Sequence, residues 1–233
     1  MNEITHIRKL SLWIFFIPLV GVNLCLLISV NHHIFANTVF AVDQIGMSGF
    51  TIPYLDGSLS ISRASRTYPQ FLIFKPTMLL TSYLLYLYWN KNNQLVNYFN
   101  HVSNKENKFK TFGILSAIFL AIHSLLLGVE LDISIFKFLR RVILVGFILF
   151  EIIAQGLLVY EFYKLKLKIN KFYNKTILNI KILLVTSLAT IAVLSIPILI
   201  SKSDVHFKHA LEWNFFIGVI LFYLLTRLFW KKT

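Results

Sequence analysis

Cysteine is almost absent from this chain. Among 233 residues there is one, Cys25, set in an apolar run. A single thiol forms no intrachain disulfide and supports no cysteine-based metal motif. Charge is scarce as well, at 14% of residues against about 25% in soluble domains, which argues against an ordinary water-soluble globule. Acids are the rarer sign, 10 against 23 bases, for a formal net charge of +13. There are nine glycines, and Gly21, Gly46 and Gly49 lie in no context that would make a nucleotide-binding loop. The chain has no internal repeat, no low-complexity tract and no second domain.

What the chain does have is apolar length. Hydrophobic residues make up 57% and mean hydropathy is +0.69, which excludes disorder. A helix needs about 20 apolar residues to cross a bilayer, and six stretches qualify: about 10–30, 70–89, 111–130, 142–163, 176–200 and 209–230. The reading is therefore a single all-α domain, a polytopic membrane protein of six transmembrane helices. Arg8 and Lys9 precede the first stretch, but its apolar run exceeds a signal-peptide core and no Ala-x-Ala site follows, so it is read as a retained helix. The bases lie between apolar stretches, so they are read as an orientation signal and no nucleic-acid partner is expected. Arg8, Lys9, Lys91, Lys105, Lys108, Lys110, Lys164, Lys166, Lys168, Lys171, Lys175, Arg227, Lys231 and Lys232 fall on one side of a six-span chain. The other side has fewer bases and most of the acids: Asp43, Asp56, Glu130, Asp132, Asp204 and Glu212. Both termini are thus expected in the cytosol. The one long connection, 31–69, is expected to lie on the bilayer surface or to plug the outer mouth of the bundle.

Ionisable residues inside a span are functional candidates. Glu151 lies near the middle of the fourth stretch, with Gln155 one turn later on the same face. His123 lies in the outer half of the third, and Lys75 enters the second from outside. Such groups either hydrogen-bond neighbouring helices or form an internal polar path. Asp204, His206, His209 and Glu212 cluster where the last helix begins, with His209 and Glu212 one turn apart. Imidazoles beside carboxylates can act as general acid and base or bind zinc. The alternative is a plain amphipathic helix entrance. The spacing matches no metal motif, so neither a metal nor another cofactor is expected. In the long loop, Ser62, Arg63 and Arg66 follow Asp56 in a run that also holds Ser58, Ser60 and Ser65. Guanidinium forks and hydroxyls suit phosphate, so these residues are candidates for a lipid headgroup; a solvated polar loop is the other reading.

Two segments resemble the DRAM/Frag/Sfk family of six-helix membrane proteins. One is Pro53-Tyr54-Leu55-Asp56, then Ser60-Ile61-Ser62-Arg63, with Pro69 and Phe71 before the second helix; the other is His209-Ala210-Leu211-Glu212-Trp213, leading to Phe222-Tyr223-Leu224-Leu225-Thr226. The family has a Pro-Tyr-Ile-Ser-Asp-like motif in its first non-cytosolic loop. It also has a Glu-Trp or Glu-Tyr pair at the start of its last helix. Here the Ile-Ser pair follows Asp56 instead of preceding it, and Arg140 and Arg141 stand where relatives often carry His. The family includes autophagy modulators of lysosomal membranes and proteins of GPI-anchor lipid remodelling. The resemblance implies membrane-lipid handling or remodelling from the non-cytosolic face, with membrane lipids as partners. The catalytic candidates are His209, Glu212 and Asp56, and an Arg63–Glu212 or Arg63–Asp204 pair is expected to join loop and helix. A non-enzymatic scaffold of lipid organisation and a small transporter are the alternatives.

Overall fold

The computed structural model describes residues 2–103, 105–129, 134–200 and 204–231. In chain order it contains α1 (Asn2–Val30), α2 (Pro53–Asp56), α3 (Ile61–Arg66), α4 (Phe71–Asn100), α5 (Lys108–Leu126), α6 (Ser134–Lys164), α7 (Lys175–Ile200) and α8 (Val205–Phe229). Among the described residues there is no strand, only an isolated bridge between Tyr173 and Trp230. Six helices, all but the short α2 and α3, are long and apolar enough to cross a membrane. In lipid the backbone must satisfy its own hydrogen bonds, and a helix does so locally.

Several helices outrun the apolar stretches at their polar ends. α4 continues to Asn100 because Asn93 and Asn97 fold the next connection back onto it. Asn107 donates from its backbone and side chain to Asn93 Oδ1, at 3.0 and 2.8 Å, and from its side chain to Asn97 Oδ1 at 2.9 Å. α6 begins at Ser134, not near 142, and so takes Arg140 and Arg141 into a helix. α8 begins at Val205, where the Asp204 carboxylate accepts the His206 N–H at 2.8 Å. α5 stops at Leu126. Glu130, Asp132, Lys202 and Lys232 lie outside the described residues.

Each long helix packs against the next in the chain, and α1 packs against α8, so the six close into a ring in sequence order. Every one of the five sequential interfaces contains a glycine. Gly21 meets Thr77, Gly113 meets Trp89, Gly146 meets Phe119, Gly156 meets Val185 and Gly218 meets Leu188. At Gly21, Gly113, Gly146 and Gly218 a Cβ would sit within 2.6 Å of that neighbour, and small residues there let helix backbones approach where lipid supplies no hydrophobic drive between helices. The chain termini share one end of the ring. There Lys91 pairs with Glu3 at 3.2 Å, and Lys168 Nζ donates to the Phe99 carbonyl at 3.2 Å. The Lys231 N–H donates to the Phe172 carbonyl at 2.9 Å. The segment 31–69 lies at the opposite end and is largely folded, with 3-10 turns at His32–Phe35 and Gln44–Gly46 besides α2 and α3.

Candidate functional site

The second half of the long loop is clamped onto α8. His209 Nδ1 lies 2.9 Å from the Gly57 carbonyl; a carbonyl only accepts, so Nδ1 carries the proton and Nε2 is left as an acceptor. One turn later Trp213 Nε1 donates to the Leu59 carbonyl at 2.8 Å, and Asn214 Nδ2 donates to the Tyr54 carbonyl at 2.8 Å. The Tyr54 ring packs on Trp213 with centroids 4.8 Å apart, and its hydroxyl donates to Asn23 Oδ1 of α1 at 3.1 Å. The loop therefore straddles the closing seam between α1 and α8. Gly57 makes this contact possible. Its φ is +59°, and a Cβ there would sit 1.7 Å from the His206 carbonyl oxygen.

Below the loop, a cavity of about 80 Å³ descends between α1, α4, α5, α6 and α8. Its lining is mostly apolar. Ser62, His123 and Glu212 line its loop-facing part, and Glu151 and Tyr223 line it deeper in the ring. Pro18 and Ile14 of α1 line it too; proline has no N–H to give the carbonyl four residues back, which here belongs to Ile14. His123 is 6% exposed, and among the described residues its Nδ1 has no hydrogen-bond partner.

The deep end is a closed polar knot. Glu151, fully buried, accepts from the Ser116 and Tyr223 hydroxyls and from Gln155 Nε2 at 3.0 Å. Gln155 Nε2 also donates to the Val219 carbonyl at 3.1 Å. A second buried knot lies nearer the termini. Lys181 Nζ donates to Thr226 Oγ1 at 2.7 Å, stands 3.8 Å from the Phe222 ring centre, and shares Thr226 with the Tyr88 hydroxyl at 3.2 Å. Sequence reading missed Lys181. A lysine six residues inside an apolar run was the available signal, but a long side chain there usually reaches back to the interface. Lys181 instead points into the ring, with no exposed surface.

The loop-facing rim is cationic. Arg66 and Arg141 both act on Arg140 through their charge, and Arg140 acts in turn on His123. Glu212 faces the Ser62 backbone N–H and the Arg66 guanidinium. The expected Arg63 pairs do not form among the described residues: Arg63 is exposed, and Asp204 caps α8. The reason lies in α3, whose first turn is set by Ser60 accepting the Arg63 N–H at 3.1 Å. That register turns Arg66, not Arg63, inward, where its Nη2 reaches Ser62 Oγ at 3.4 Å. Asp56 does not face the cavity. Its oxygens accept from Thr51 Oγ1 at 2.8 and 2.9 Å, the Ser58 N–H at 2.8 Å and the Ile52 N–H at 2.9 Å. These bonds, the Ser58 N–H first, bring its carboxyl down to about 2. Asp56 is thus a positioning residue for the loop. His209 is a clamp, and Glu212 and Ser62 line the cavity. Lys75 stays near the loop-bearing end, 5.5 Å from the Phe71 ring centre. Among the described residues no three His, Cys, Asp or Glu side chains converge to hold a metal ion.

No protein-family model, curated protein or solved structure matches this chain. The fold is that of a six-span all-α bundle, and its site is an apolar cavity beneath a cationic rim.

Proposed function

We propose that this is a DRAM/Frag/Sfk-like integral membrane protein that handles or remodels membrane lipid from the face carrying the 31–69 loop. Both termini lie in the cytosol, as the excess of lysine at their end of the ring supports. The observation that carries the reading is the cavity itself. Its apolar walls suit a few methylenes of an acyl chain, and Arg66 and Arg140, whose charges reach Glu212 and His123 of its lining, suit an anionic headgroup. Glu212, with a carboxylate at the boundary between the two, is the acid–base candidate. Lipid profiling of a deletion strain tests this. Wild type restores the profile and Glu212→Ala does not; restoration by both Glu212→Ala and Arg66→Ala defeats the reading. Labelling of single cysteines placed in 92–110 tests the orientation, since a reagent confined to the outside should not reach them.

The deep end of the cavity at Glu151 favours a second reading, a small transporter with Glu151, Gln155 and His123 as its polar path. Glu151→Gln separates the two. It abolishes proton-coupled uptake in a transporter, and it leaves the lipid profile intact in a lipid-handling protein.

A further inference from the structure

A basic pocket and an apolar groove lie at the other end of the molecule, on the outer wall of the ring between α6 and α7. The two meet at Tyr163. The first is a pocket of about 300 Å³ beside the connection between the two helices, where Lys166, Asn170, Tyr173, Lys175 and Asn179 provide polar groups. The second is a groove of about 400 Å³ running along the helices from Tyr163 and Tyr160 to Gly156, Val185 and Thr186.

The charges in the pocket are not balanced. Lys164 pairs with Glu161 at 3.2 Å, but neither Lys166 nor Lys175 has a carboxylate partner among the described residues. Lys166 rests 4.2 Å from the centre of the Tyr163 ring, which holds its ammonium over the mouth of the groove. No acid lines the pocket. Pocket and groove together have the depth of one leaflet. From Lys175 to Thr186 the helix rises roughly 16 Å, about half of a hydrocarbon core of ~30 Å. Gly156 keeps the floor of the groove open, because a Cβ there would touch only Val185, at 3.4 Å. Tyr160 and Tyr163 are exposed at the headgroup level, where amphipathic rings settle.

We infer that this surface binds an anionic glycerophospholipid of the leaflet around the termini, its phosphate between Lys166 and Lys175 and one acyl chain in the α6–α7 groove. A basic pocket at a helix connection combined with a tail groove is the chemistry that selects such a headgroup. The site is separate from the cavity inside the ring and does not rest on the lipid-handling reading.

The test uses the full chain in neutral detergent and counts bound lipid by native mass spectrometry. Phosphatidylglycerol and phosphatidylcholine with identical chains are compared, and glycerol 3-phosphate serves as the headgroup without a tail. Phosphatidylglycerol should bind more tightly than phosphatidylcholine. Lys166→Ala with Lys175→Ala should weaken it roughly thirtyfold, while the charge-matched pair Lys9→Ala with Lys171→Ala should not. Thr186→Phe, which fills the groove from the lipid side, should weaken phosphatidylglycerol without changing the response to glycerol 3-phosphate. Three results would overturn the proposal: equal binding of the two lipids, equal loss in the control pair, or displacement of phosphatidylglycerol by glycerol 3-phosphate at similar concentration. The last would mark a site for soluble phosphate.

Discussion

At the scale of single residues, the two buried knots differ in how well they are satisfied. Glu151 has three side-chain donors, whereas Lys181 has one hydroxyl and two ring faces. This makes the two halves of the Lys181–Thr226 contact unequal. Thr226→Val leaves a buried amine without an acceptor and should cost about 1–3 kcal/mol. Lys181→Met removes the amine and leaves Thr226 still donating to the Phe222 carbonyl at 2.9 Å, so it should be near neutral or stabilising. Unfolding midpoints of the two variants in a detergent–denaturant titration check this ordering; the reverse order refutes it. Asp56 gives a prediction in pH. Its carboxyl is lower in the folded chain, about 2, than in an unfolded one, near 3.9. Its contribution is therefore complete at neutral pH and is lost as pH falls through 2. Pepsin should spare residues 51–58 at pH 4 and cut them increasingly towards pH 2, while Asp56→Ala should be cut at both.

At the scale of elements, the loop is held to α8 through a close contact that requires Gly57. Gly57→Ala meets both a left-handed backbone, which costs a side chain roughly 1–2 kcal/mol, and the His206 carbonyl. The expected result is release of the loop with the six long helices intact. It would be measured as proteolysis confined to 50–66 with unchanged far-ultraviolet circular dichroism. The six spans were legible in the sequence because the bilayer sets a length that composition must meet. Helix ends were not, because the extension of α4 depends on Asn107 folding back onto Asn93. Nearness of the loop to His209 followed from sidedness and from polar groups that need partners. The choice between Arg63 and Arg66 did not follow. The two sit three residues apart on a six-residue helix, and only the register set by the Ser60 cap decides which turns inward.

At the scale of the whole molecule, two ends with different chemistry are joined by a continuous ring. One end carries Arg63, Arg66, Arg140, Arg141 and the folded loop; the other carries most of the lysines and the asparagine lattice that folds the connection at 105–107 onto α4. The ring order has a consequence for biosynthesis. As each helix leaves the insertion machinery, its partner is the one already in the membrane, so five seams can form one after another. The α1–α8 seam must wait for the last helix, and the 31–69 loop waits with it for a surface to dock on. An arc of four helices should therefore be a durable intermediate, and a chain cut between Asn170 and Lys171 should reassemble from two co-expressed pieces that copurify through the α6–α7 and α1–α8 seams. Gly57→Ala should weaken that copurification by loosening the second seam. Pieces that never associate would mean that the ring forms only in one concerted step.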